Sequence, residues 1–232
     1  MSGRDLTALA VALAVALLIG AACTVTAEPT PSLMGARYVA LGDSYTIGTA
    51  VSSTDSWPSQ LVARLDGRLE LAANLGVNGY STDDLIAAEL PALDDLHPEF
   101  VTVQIGVNDV VRGVPQATYA ANVDLILDAL LERLPPTRIV AVATPDYTLT
   151  PAGSSFGNPA QQSAEIARFN GVLRVAAEAR GIVFVPDIYE ISRRVASDPS
   201  LVAGDGLHPS GAQYALWVDA IQPVVQELLA GS

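Results

Sequence analysis

"YVALGDSYTIG", residues 38–48, is the stretch on which the reading of this chain turns. Its first four residues, Tyr38-Val39-Ala40-Leu41, form a short uninterrupted apolar run of the kind buried inside a parallel sheet. The run stops at Gly42-Asp43-Ser44, residue types that turn a chain through backbone freedom and local hydrogen bonding. A turn alone accounts for them. The same arrangement also delivers a serine hydroxyl to the mouth of a sheet, where a nucleophile would sit. What the remaining chain places beside Ser44 separates the two readings.

Outward from this stretch, short apolar runs recur at residues 70–75, 100–105, 139–143 and 182–185, and each predicts a strand. Helical periodicity fills the intervals at residues 57–65, 82–90, 119–134, 163–180 and 211–229. Ser81, followed by Asp83 and Asp84, is a helix-start signal, because the hydroxyl caps free N–H groups and the acids suit the helix dipole. Strands that alternate with helices pair in parallel through right-handed crossovers, which predicts about five parallel strands in a three-layer α/β/α sandwich. Ligands of such a sheet bind beyond the carboxyl ends of its strands. The suspect segments are therefore those that leave strands: "GDSYTIG", then "GVNGYST" from Gly76, "GVNDV" from Gly106 and "GDGLHPSG" from Gly204.

Composition narrows the classes of partner. The chain has 232 residues, half of them hydrophobic, enough for one well-buried domain. Net charge is −13, with 25 acids against 12 bases, every base an arginine. That balance argues against nucleic acid, whose binding rests on neutralising phosphates, and against a basic patch on anionic lipid. Residues 6–22, "LTALAVALAVALLIGAA" behind Arg4, are short for a membrane span, which needs about 20 apolar residues, and fit a signal peptide over residues 1–22. Two exits follow. "GAAC" sets the single cysteine, Cys23, behind small residues as in a lipidated lipoprotein signal, although Gly20 stands where such signals carry Leu; "VTA", residues 25–27, offers ordinary cleavage. Either exit places the domain outside the cytoplasm, as a lipid-anchored or secreted protein. Residues 23–35, with Pro29 and Pro31, read as an extended tether, and residues 36–232 as the domain, expected to be a monomer.

A serine–histidine mechanism has little freedom here, since the chain holds two histidines, both in the pattern Asp-x-x-His-Pro: His97 in "DDLHP" and His208 in "DGLHP". Position separates them. His97 precedes the third strand, at the edge where chains enter the sheet, and reads as a structural loop residue. His208 follows the fifth strand, at the ligand edge, and Asp205 three residues earlier would orient its ring. The serine also has a rival. The nucleophile-elbow pattern G-x-S-x-G occurs at "GSSFG", centred on Ser155, but no strand runs into it and Asn158-Pro159 follows it. Acyl transfer further needs donors aimed at a developing oxyanion. The N–H of Ser44, the N–H of Gly79 and the side-chain amide of Asn108 would serve, each from a different strand exit. Singly, Gly79 and Asn108 also read as turn residues.

In combination, "GDSY", "NLGVNG", "GVND" and "DGLHP" resemble the sequence blocks of the GDSL/SGNH hydrolase family, over the domain from about Ala36 to the last helix. The resemblance implies a flavodoxin-like sheet and a serine esterase or lipase that works without metal or cofactor. It implies Ser44 as nucleophile, His208 as general base and later acid, and Asp205 as its orienter. Gly79 and Asn108 would complete the oxyanion hole with the Ser44 N–H. In the second block Gly76 competes with Gly79, and the spacing from Asn74 favours Gly79. The family name records Leu after the serine, where this chain has Tyr45. Two scattered histidines and a lone cysteine leave no zinc cluster. The implied partner is an ester: short acyl, lipid or acylated glycan. An acyltransferase would use the same residues, and a non-catalytic binding lipoprotein would not need them. The loop at 145–159 carries Tyr147 and Phe156, which either line the pocket or pack the loop onto the body.

Overall fold

Residues Val39, Ala40 and Leu41 have no polar side chain to offer water, and the fold encloses them on both faces. They lie in β1 (Ala36–Gly42), which pairs in parallel with β2 (Leu69–Asn74) on one side and β3 (Phe100–Gln104) on the other. The computed structural model describes residues 35–231, so the expected signal segment, Cys23, the alternative cleavage site at 25–27 and nearly all of the tether lie outside the described residues. Continuing outward, β4 (Ile139–Val142) and β5 (Val183–Val185) complete a five-stranded parallel sheet of order β2-β1-β3-β4-β5. The chain moves to one side of β1 to form β2, then crosses to the other side for β3. That reversal leaves a crevice between the carboxyl ends of β1 and β3, the place where sheets of this order bind ligands.

Helices cover both faces, giving the expected three-layer α/β/α sandwich. A one-turn helix α1 (Ser44–Ile47) follows β1 directly, and α2 (Trp57–Arg64) packs against the last helix, α9 (Gly211–Ala230), as one layer. The other layer holds α3 (Thr82–Asp84), which runs through a π turn (Leu85–Glu89) into α4 (Leu90–Leu96), together with α6 (Gln116–Leu131) and α7 (Pro159–Glu178). Two short helices, α5 (Val107–Val111) and α8 (Ile188–Ser192), follow β3 and β5. No helix among the described residues is long and apolar enough to cross a membrane.

The departures from the expected elements have local causes. The helix expected over 82–90 continues to Leu96 through Pro91. The π turn makes this possible: the Leu90 N–H reaches back to Leu85, so Pro91 falls at the start of a fresh α register where a missing N–H costs little. Helix α7 starts four residues before expectation because Asn158 caps it, its Oδ1 accepting from Gln161 N–H at 3.1 Å, with Pro159 at the first helical position. Helices α1, α5 and α8 are too short to show a 3.6-residue period.

Phe100 opens β3 fully buried, its ring edge-on to Tyr38 at 6.2 Å. Phe100→Ala should lower the free energy of unfolding by about 3–5 kcal/mol. In urea titrations this appears as a lower midpoint at unchanged slope; an unchanged midpoint would mean that the ring is not part of the core.

Candidate active site

The site begins where β1 ends. Gly42 sits at φ +153°, and a Cβ there would lie 2.3 Å from both the Gln104 carbonyl oxygen and Thr46 Oγ1. No other residue type lets the chain leave the strand so closely. Asp43 is fully buried and caps the turn of α1: its Oδ1 accepts from the Tyr45 N–H at 2.9 Å, and its carbonyl accepts from the N–H groups of Thr46 and Ile47. Ser44 is thereby the first helical residue, held in a 7% exposed position, and its own N–H stands ahead of the helix's internal hydrogen bonds.

The exits of β2 and β3 face this turn. Val77 to Tyr80 form a tight turn closed by Tyr80 N–H to Val77 O at 3.2 Å, with Gly79 at φ +82°. Arg112 clamps that turn, donating to Gly79 O at 2.6 Å while pairing with Asp84 at 2.8 Å. Gly76, the competing glycine, packs its Cα against the backbone of α1 instead: a Cβ there would lie 2.7 Å from Asp43 O and Ile47 N. On α5, Asn108 donates through Nδ2 to Tyr80 O at 2.9 Å and stands 3.5 Å from Asp43 Oδ2. One amide proton is firmly held, and the other has only this long contact. Next to it, Asp109 ties α5 to α3 by accepting from Thr82 N–H at 3.0 Å and Thr82 Oγ1 at 2.5 Å.

Beyond β5, Asp205 organises the last loop. Its Oδ1 accepts the N–H groups of Leu207 and His208, each at 3.0 Å, and its Oδ2 meets His208 Nδ1 at 2.6 Å. With Nδ1 engaged, Nε2 is the ring nitrogen left for exchange with another group. The His208 ring rests on Tyr45, centroids 5.3 Å apart, and Tyr45 backs onto Trp217 at 6.4 Å.

Ser44, Gly79, Asn108 and His208 line a single cavity of about 170 Å³, together with Tyr45, Asn78, Val107, Val111, Tyr147, Phe156 and Leu207. Asp205 stands behind His208. Tyr147 and Phe156 do both things asked of them: they border the cavity, and they pack on each other edge-on at 5.5 Å while Tyr147 OH donates to Gln162. Ser155 is exposed and does not line the cavity, and His97 caps the end of α4 at the opposite edge of the sheet. Sequence reasoning missed Arg112, Asn78 and the apolar wall of Val107, Val111 and Leu207. For Val107 the signal was present in "GVNDV", where an apolar position follows a strand exit, and Val111 comes directly after that block; for Arg112 nothing local marks it. Among the described residues, no group of three His, Cys, Asp or Glu side chains is placed to hold a metal ion.

A family match gives the class: the protein is a carboxylic ester hydrolase. The GDSL-like Lipase/Acylhydrolase family profile matches residues 40–216, and the chain belongs to that family. An arylesterase of Vibrio mimicus is 25% identical over 196 residues, covering 83% of this chain and 88% of its own length. A lipase of Streptomyces rimosus is 28% identical over 183 residues, 63% of this chain and 66% of that protein. Among solved structures, an acetyl xylan esterase from Geobacillus stearothermophilus, 19% identical, superposes with a TM-score of 0.64 over 83% of this chain and 94% of its own. An α/β hydrolase enzyme from the metagenome of Lake Arreo, 21% identical, gives 0.64 over 84% and 97%. At these identities the two structures speak for the fold.

The site's carboxyls differ sharply in environment. Burial alone would raise Asp205, but the hydrogen bonds from the His208 ring and two backbone N–H groups outweigh it and hold the group below the usual carboxylate range. Asp43 is pushed up to about 7 by burial, with Asp109 adding to the effect. Glu89, at the end of the π turn, is pushed up to about 8, again by burial first and by Asp43 after it. Such acids keep their protons in the folded state at pH values where the unfolded chain has lost them. The folded state then binds more protons, and stability falls as pH rises from the ordinary carboxylate range toward 7 and 8. The lowered group Asp205 acts in the opposite sense, but only as pH drops below the ordinary carboxylate value, beneath this window. The denaturation midpoint should therefore be higher at pH 5 than at pH 8.5, and Asp43→Asn, which keeps a capping oxygen, should flatten the profile. A midpoint that rises from pH 5 to 8.5 would contradict the buried-acid assignment.

Proposed function

We propose that the protein hydrolyses carboxylic esters through an acyl-Ser44 intermediate. The observation that carries this reading is the shared cavity: a serine at a helix start, a histidine whose Nδ1 is held by Asp205, and amide donors on two neighbouring exits. His208 Nε2 takes the Ser44 proton as Oγ attacks the ester carbonyl. Asp205 fixes the ring tautomer and stabilises the imidazolium that forms. The tetrahedral oxyanion draws on the N–H groups of Ser44 and Gly79 and on the free amide proton of Asn108, which turns from its long contact with Asp43. His208 then protonates the departing alcohol, and water releases the acyl group by the same path.

Cavity size argues for the acyl side. A cleft of about 170 Å³ walled by Val107, Val111 and Leu207 suits a short acyl chain. The relatives' names span an arylesterase, a lipase and an acetyl xylan esterase, and the last of these agrees with a short acyl group. We place the reaction outside the cytoplasm, with the domain either anchored by a lipid on Cys23 or secreted, because of the apolar segment that precedes both exits.

Treatment with a fluorophosphonate should give one adduct, on Ser44, and His208→Ala should abolish it. Asn108→Ala should lower kcat about 100- to 1000-fold on a soluble ester. Near-full activity in that variant would remove Asn108 from the site, and an adduct on Ser155 would overturn the nucleophile assignment.

A further inference from the structure

Directly behind the nucleophile turn, at the end of the π turn that interrupts the helix from Thr82 to Leu96, lies a side chain that the proposed mechanism does not use. Glu89 is 2% exposed and faces β1 rather than solvent. Its Oε2 accepts the Gly42 N–H at 2.9 Å, and its Oε1 has no partner. Gly42 is the residue whose conformation aims Ser44, two positions on. The wider π turn brings Glu89 onto this strand end and is the kind of helix defect that recurs at functional sites.

We propose that Glu89 is a positioning residue for the nucleophile, acting as a neutral carboxylic acid whose oxygen holds the Gly42 N–H and so fixes the exit of β1. The proposal rests on the reading of Ser44 as nucleophile.

The surroundings fit a neutral acid better than a carboxylate. A buried carboxylate needs a cation or several donors, and Glu89 receives one N–H and no salt bridge among the described residues. A neutral acid, by contrast, carries no charge that a cation must balance, and the single N–H that Glu89 accepts is a neutral acceptor's contact. The titratable groups that bear on this corner are acids, a phenol and one arginine that is already paired. Asp43 at the exit of β1 acts on Glu89, Asp109 on α5 acts on Asp43, and Asp83 on α3 acts on Asp109. Tyr119 on α6 is held in its phenol form by burial, and Arg112 at the end of α5 is paired with Asp84. Burial without a compensating cation keeps the proton on Glu89 at neutral pH.

The test compares wild type, Glu89→Met and Glu89→Gln on p-nitrophenyl acetate, with thermal melting as a control for folding. Methionine keeps the volume and loses the acceptor; glutamine keeps a neutral acceptor. Misplacing the nucleophile should lower kcat roughly 10- to 100-fold in Glu89→Met, with KM little changed, and Glu89→Gln should restore most of the loss. Wild-type kcat should also decline above about pH 8, as Glu89 ionises, whereas Glu89→Gln should hold it. That second arm decides the matter if Glu89→Met does not fold. Wild-type kcat in Glu89→Met, an effect on KM alone, or the same alkaline decline in Glu89→Gln would overturn the proposal. If the wild type itself neither turns over the ester nor labels with fluorophosphonate, the reading of Ser44 fails first and takes this one with it.

Discussion

The site depends on how the chain leaves β1. The close approach of Gln104 O and Thr46 Oγ1 to the Cα of residue 42 excludes any side chain there. Given that tight exit, the next residue is driven into the interior, where its only useful act is to cap the turn that follows. Asp43 does so, and Ser44 stands at the start of α1 as part of the cavity lining. The sheet order supplies the rest. Because β3 lies against β1 at the switch point, the first residues after Gln104 must face the first residues after Gly42. Asn108 meets the turn at Asp43 and Ser44 for that topological reason.

The same corner shows how one residue type is put to different uses by its surroundings. Asp205 takes two backbone N–H groups and a ring nitrogen, and is held as a carboxylate. Asp43 and Glu89 are enclosed with few donors and are pushed toward the neutral form. The chain's large acid excess lies mostly on the solvated surface; these buried members owe their behaviour to position.

Much of this is legible in the sequence. Apolar runs and helical periods implied the parallel sheet, and strand exits then distinguished His208 from His97 and Ser44 from Ser155, which pattern matching could not do. The rest depends on contacts between distant segments. Arg112 reaches Gly79 across 33 residues, and Glu89 reaches Gly42 across 47. No local pattern encodes such reach. The π turn is equally hidden, since Pro91 signals the end of a helix and only the wider turn before it lets the helix continue. Tyr147 and Phe156 were visible as candidates, but their dual role as cavity wall and mutual support needed the folded loop.

The most direct measurement is a crystal structure of the phosphonylated protein, whose phosphoryl oxygen stands in for the oxyanion. The account requires the phosphorus on Ser44 Oγ and that oxygen roughly 2.7–3.1 Å from the Ser44 N–H nitrogen, the Gly79 N–H nitrogen and Asn108 Nδ2. A phosphoryl oxygen turned to solvent, with Asn108 still bonded to its present partners, would contradict it.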